Sequence, residues 1–418
     1  MTPLDTRAAR RPTAPGRAGP LTTALRRAWP ALAGYAAVRL LGLIGLAVWA
    51  AARDTDPLVR LTARWDSLWY ARIAESGYGY TVRLPDGDVH SDLAFFPLLP
   101  WLERGVAAVS PLSHGEAGFL VGLVASVAAA WGIFAVTDLV LGRRAGVCAA
   151  VLWGALPVGI VQSMAYSESL FTALAAWSLY AVLTGRWPQA GALALCAGLT
   201  RPVGLAVAAA VWAGAVASFV RQRSAAAADG APAGPHDLHA AHAGLASPLR
   251  GVDVWPRAVG MLLAPLGAAG YVLWVGHRTG QGLFGYLDVQ AGWRNGFDGG
   301  AAFARFVAGL FDSFPGALAG TALIVGVALV VLLFVAGVRA RLPLPLLVYG
   351  GLVALLALCA SSYFGSKPRL LMPAFPLLLP LAAAAARARP AVASGLLALA
   401  AAGSAVYGGL WLTGSGPP

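Results

Sequence analysis

Charge is scarce in this chain. Only 11% of its 418 residues are charged, 58% are hydrophobic and the mean hydropathy is +0.70. Soluble domains carry about 25% charged residues, so a soluble globule is excluded and a polytopic membrane protein is implied. Lysine is nearly absent, since every basic residue except Lys367 is arginine. With the abundance of Ala and Gly this reads as coding bias, so the net charge of +12 calls for no nucleic-acid partner. The three cysteines, Cys148, Cys196 and Cys359, lie in apolar runs, which excludes a disulfide framework and offers no metal-ligand spacing. No Walker A sequence or nucleotide-binding domain occurs, which argues against a cytosolic ATP- or nucleotide-sugar-driven reaction. Solenoid-period repeats are missing, and so is inverted half-to-half symmetry of the transporter kind.

What remains is mostly spans. Apolar stretches of about 20 residues, the length that crosses a bilayer, run at 29–52, 117–141, 145–163, 168–185, 203–220, 257–276, 317–338, 343–362, 370–386 and 391–412. A shorter run, 188–200, adds a thin or broken crossing, for eleven in all. The run 93–110 contains Pro97, Pro100, Glu103 and Arg104 and reads as an interfacial helix. Residues 1–28 read as a disordered cytoplasmic tail with no cleavable signal. An N-terminal membrane module spans 29–220 and a C-terminal one 257–418, joined by an Ala/Gly/His/Pro linker at 221–256. His236, His239 and His242 fall in that linker, where nothing rigid would hold a metal.

The positive-inside rule orients the chain. With the N-terminus in the cytoplasm, seventeen arginines and five acids lie inside, a net of +12. Twelve basic residues and thirteen acids lie outside, a net of −1, and Arg39 sits within the first span. Two long segments are then outside, 53–116 and 277–316.

The polar groups worth weighing gather at outer helix ends. RWDSLWYARIAESGYGY (64–80) follows the first span and carries Asp66. On a helix there, Trp65, Trp69 and Ile73 share one face as headgroup anchors, and Asp66 and Tyr70 share the adjacent one. Asp66 reads either as a catalytic carboxylate or as a helix-terminal acid paired with Arg64. Asp92, in SDLAFFPLLP (91–100), returns to the same surface. In MAYSESLF (164–171), Ser167 suits a helix cap, and Glu168 suits either the helix dipole or a sugar hydroxyl. Arg201, in LTRPVG (199–204), interrupts an apolar run and invites an anionic ligand. Lys367 and Arg369, in GSKPRLLMPAFP (365–376), are further phosphate ligands or simple membrane-edge cations. Cations at bilayer depth suit a lipid phosphate, and a carboxylate suits proton abstraction from a hydroxyl.

Taken in order, RWDSLWYARIAESGY, DLAFFPLLP, YSESLF, TR-x-x-G and KPRLLMPAFP resemble the PIG-V family of mannosyltransferases, over about residues 65–376. The resemblance implies an all-α GT-C fold with interfacial helices in the first outer loop, and an inverting transfer from a polyprenyl-phosphate sugar. Asp66 would be the general base. Arg201, Lys367 and Arg369 would stabilise the leaving phosphate, Asp92 and Glu168 would orient sugar hydroxyls, and Trp65 and Tyr70 would line the substrate site. The acceptor would be an envelope glycolipid or glycan at the outer face of the plasma membrane, and no metal or other cofactor would be required. TRPVG has proline and valine where eukaryotic members are more polar. An alternative reading is a transporter or lipid flippase with an outward anion-binding cavity, and a non-catalytic assembly subunit is a third.

Overall fold

A computed structural model describes residues 19–229, 254–361 and 363–414. Among these residues the chain forms eighteen α-helices and two small antiparallel strand pairs. Helix α1 (Pro20–Ala51) opens the bundle, so residues 20–28 of the expected tail are helical instead. Segment 53–116 folds into α2 (Pro57–Thr62), α3 (Asp66–Ser76), the hairpin β1 (Thr81–Arg83) and β2 (Val89–Ser91), and α4 (Leu98–Ala108). Short helices therefore occupy this loop, and 93–110 is one of them rather than a span.

Next come α5 (His114–Leu141), α6 (Arg143–Gly154), α7 (Ser167–Leu183), α8 (Trp187–Gly198) and α9 (Gly204–Asp229). After residues 230–253, which lie outside the described part with the linker histidines, follow α10 (Val254–Leu263) and α11 (Leu266–Thr279). Segment 277–316 holds α12 (Gly285–Gly292), β3 (Gly296–Phe297) and α13 (Ala301–Gly309). The chain ends with α14 (Phe314–Arg339), α15 (Leu344–Cys359), β4 (Ala360–Ser361), α16 (Lys367–Leu371), α17 (Leu379–Arg387) and α18 (Pro390–Leu412).

Of the eleven expected crossings, six are helices long and apolar enough to cross alone, with α10 and α11 counted as one. A seventh is a pair bent by 73°, Phe364–Leu371 with Phe375–Arg387. The segments at 145–163, 168–185, 188–200 and 343–362 hold shorter helices. The first of these breaks outright. Helix α6 stops at Gly154, Pro157 follows, and only a 3₁₀ turn, Gly159–Ser163, continues the path. Arg39 makes that break tolerable by donating to the carbonyls of Gly154 and Gly159, which would otherwise be orphaned in an apolar interior.

The core lies among α5, α6, α7, α8, α9 and α15. Alanine and glycine dominate it, which lets helices approach closely where lipid gives no hydrophobic drive to associate. Helix α14 is almost entirely exposed, as a lipid-facing helix should be. At the arginine-rich end, Arg27 pairs with Asp138 and Arg143 donates to the Arg27 carbonyl at 3.2 Å. Segments 53–116 and 277–316 contact each other through Trp293 and Ser91 and through Arg294 and the hairpin.

Candidate active site

Helix α3 begins at Asp66, and the residue before it has unusual backbone geometry. Trp65 has φ 53° and ψ −121°, a left-handed conformation that costs a non-glycine residue of order 1–3 kcal/mol. The turn is tied locally by the Ser67 hydroxyl, which accepts from the Arg64 amide at 2.9 Å and donates to the Arg64 carbonyl at 2.6 Å. Strain of this kind persists where surrounding contacts over-determine it, and here it aims the Asp66 carboxylate into the protein.

What Asp66 meets there comes from distant chain segments. Arg369 of α16 donates to its Oδ2 at 2.6 Å, and the Asp66 amide donates to the Tyr166 hydroxyl at 3.4 Å. Arg369 also approaches Glu168 at 3.5 Å and lies over the Tyr166 ring at 5.0 Å. Glu168, with 1% side-chain exposure, is paired with Arg201, whose Nη1 donates to Ser167 Oγ at 3.2 Å. That hydroxyl in turn bonds Tyr70 at 2.9 Å. Two carboxylates and two guanidiniums thus form one connected, formally neutral cluster. Burial raises the Tyr70 and Tyr166 phenols well above their ordinary values, so both stay protonated.

This cluster lies at a cavity of about 500 Å³ whose walls include Trp65, Asp66, Trp69, Tyr70, Arg201 and Arg369. Four expectations change. Trp65 lines the cavity, where the family resemblance put a substrate-site residue, and Trp69 joins it there instead of anchoring an outward face, because Trp65 precedes the helix and Trp69 stacks on Phe95 at 5.6 Å. Ser167 does not cap α7, since its hydroxyl serves Tyr70 and Arg201. Asp92 is fully buried away from the cavity walls, and its Oδ2 accepts from the amides of Gly79 at 2.9 Å and Tyr80 at 2.8 Å. It closes the base of the hairpin. Lys367 also lies off the walls, because its Nζ donates to the carbonyls of Ala357, Leu358 and Ala360 at 2.9, 3.2 and 2.8 Å. It caps the end of α15.

No protein-family profile and no curated protein matches the chain. Solved structures do. ArnT from Cupriavidus metallidurans in the apo state superposes with a TM-score of 0.50 and 15% identity, over 86% of this chain and 61% of that one. The same protein bound to undecaprenyl phosphate gives 0.49 and 14%, over 86% and 62%. The archaeal oligosaccharyltransferase AglB from Archaeoglobus fulgidus, in complex with an inhibitory peptide and a dolichol-phosphate, gives 0.47 and 14%, over 94% and 57%. The fold is of the GT-C type. The chain spans about three-fifths of the length of these proteins.

Within this GT-C bundle segment 277–316 contributes more than the sequence pattern suggested. Tyr286, Gln290, Trp293 and Asn295 all line the cavity. None belongs to the motifs read from the sequence, and an aromatic or an amide in an outer loop carries no signal by itself. The pairing of β3 with β4, Gly296 opposite Ser361 and Phe297 opposite Ala360, brings them there.

Proposed function

We propose that this multi-pass membrane protein is a glycosyltransferase akin to the PIG-V mannosyltransferases. It takes a sugar, mannose on the motif resemblance, from a polyprenyl-phosphate donor. It passes the sugar to a hydroxyl of an envelope glycolipid or glycan at the outer face of the plasma membrane. The observation that carries this reading is the Asp66–Arg369 pair joined to Glu168–Arg201 at the edge of an aromatic-walled cavity. ArnT, whose apo structure shares the fold, has also been solved with a polyprenyl phosphate bound.

The charges fit the chemistry. Each guanidinium is held in place by a carboxylate, so the cationic site is ordered before a ligand arrives. A donor phosphodiester would draw on Arg369 and Arg201, leaving Asp66 free to face the acceptor. The acceptor oxygen then bonds to the anomeric carbon as the bond from that carbon to the phosphate oxygen breaks. The hydroxyl proton passes to Asp66, and the second negative charge appears on the departing lipid phosphate. Total charge is conserved, and the new phosphate charge develops where the arginines stand. Phosphate is a competent leaving group, so this scheme asks for no metal. A flippase would need its charges on paired broken helices near mid-span, whereas Asp66 and Glu168 lie at helix starts and, of the cluster, only Arg369 sits on a bent span.

The test is to incubate membranes holding the protein with radiolabelled polyprenyl-phospho-mannose. Label should move to an envelope glycan or glycolipid with release of polyprenyl phosphate. Absence of transfer from any polyprenyl-phospho-sugar, with lipid translocation observed instead, would replace this reading with the flippase one.

A further inference from the structure

One wall of the cavity takes no part in the charge chemistry. Trp293 is fixed from several sides. Its Nε1 donates to the Ser91 carbonyl at 3.0 Å, the His90 ring stacks on it at 3.9 Å and 9°, and Trp69 meets it edge-on at 4.9 Å. Just before it, Gly292 packs so tightly that an added Cβ would lie 2.3 Å from the Val89 carbonyl oxygen. Just after it, Arg294 has φ 55° and is held by Asp86 at 2.7 Å and by Asp88. Arg294 thus sits in a strained conformation between the cavity-lining residues Trp293 and Asn295.

Its chemistry is neutral. Gln290 Nε2 donates to the Tyr286 hydroxyl at 2.6 Å, and Gln290 Oε1 accepts from Asn295 Nδ2 at 2.8 Å. Among the described residues this leaves the Asn295 carbonyl oxygen, its second N–H and the Tyr286 O–H proton without a protein partner. An indole beside an ordered amide fork, with no charge in the set, suits a ring with an apolar C–H face and a rim of hydroxyls. It does not suit a phosphate, which the arginines serve.

We infer that Trp293, Asn295 and Tyr286 form a pyranose subsite, with the sugar ring on the indole and its hydroxyls on the Asn295 amide and the Tyr286 phenol. The inference rests on the transferase reading, and the pyranose is either the donor's sugar or the acceptor's.

Four probes test it on the full chain in nanodiscs: polyprenyl phosphate, polyprenyl-phospho-mannose, octyl mannoside and octanol. Trp293→Ala should weaken at least one of the two sugar-bearing probes by about tenfold or more and leave the two sugarless ones unchanged. Asn295→Ala should weaken the same probe. Trp293→Phe keeps an aromatic face but loses the Nε1 bond to Ser91, and should retain most of the affinity. Loss on polyprenyl-phospho-mannose alone assigns the donor sugar, and loss on octyl mannoside assigns the acceptor. Unchanged affinity for both sugar-bearing probes, or an equal loss for the sugarless ones, overturns the subsite. If wild-type protein binds octyl mannoside but transfers no sugar, the transferase reading fails while the subsite stands.

Discussion

At the residue scale, Glu103 is the carboxyl furthest from its comfort in water. It is fully buried in α4 against α5, and neither oxygen finds a hydrogen-bond partner among the described residues. Burial pushes its pKa well above the usual carboxylate value of 4.5. Above that value the folded state holds a proton that the unfolded chain releases, so stability falls as pH rises towards the folded pKa. Glu103→Gln should melt higher than wild type near about pH 8 and lose that slope, as thermal unfolding across pH would show. A variant no more stable than wild type at alkaline pH would mean the carboxyl is solvated after all. Arg369 makes a second prediction. Arg369→Lys keeps the charge but cannot span Asp66 and Glu168 as a planar fork, so transfer should fall about 10–100-fold with the fold intact. Rates close to wild type would show that a point charge suffices. Asp66, Glu168, Arg201 and Arg369 stood out in the sequence because a charge beside an apolar run needs a reason, and the structure brings the four together. Asp92 and Lys367 carried the same signal for a different reason, since each satisfies backbone groups. Hydropathy reports that a charge is costly, not which partner offsets the cost.

At the element scale, the turn that delivers Tyr166, Ser167 and Glu168 reaches the site because α5 lets it approach. Gly115, Gly118 and Gly122 form a stripe on that helix. An added Cβ would lie 2.6 Å from the Thr62 carbonyl oxygen, 2.3 Å from Glu103 Oε1 and 2.6 Å from the Met164 carbonyl oxygen respectively. Helix α5 starts at a capping box, Ser113 with Glu116, which fixes where the stripe begins. Gly122→Ala should displace the 164–168 turn, destabilise the protein by about 1–3 kcal/mol and lower transfer, measured by unfolding and initial rates together. Wild-type values for both would show that the turn has slack. Several expected spans are built from shorter or bent helices for a related reason. A hydropathy window measures apolar length, so it could not see that 145–163 stops at Gly154 or that the penultimate span bends by 73°.

At the scale of the whole molecule, segment 277–316 is tied to segment 53–116 by the Trp293 bond to Ser91 and the Arg294 pairs with the hairpin, and to the end of α15 by β3–β4. The GT-C architecture was legible through the family resemblance that the motif order carries. The contribution of 280–300 was not, because long-range strand pairing leaves no local pattern. The orientation expected from the charge count predicts the outcome of cysteine labelling in a variant stripped of Cys148, Cys196 and Cys359. An impermeant maleimide should modify Asp86→Cys in intact cells and Arg143→Cys only after permeabilisation. The reverse pattern would invert the topology.

Asp66, as the proposed base, would take the acceptor's proton, which transfer by Asp66→Asn tests. The substitution keeps size and shape but removes the base. Transfer from radiolabelled polyprenyl-phospho-mannose should fall by about 10²–10⁴-fold, while polyprenyl phosphate still binds. Transfer at the wild-type rate would contradict the account.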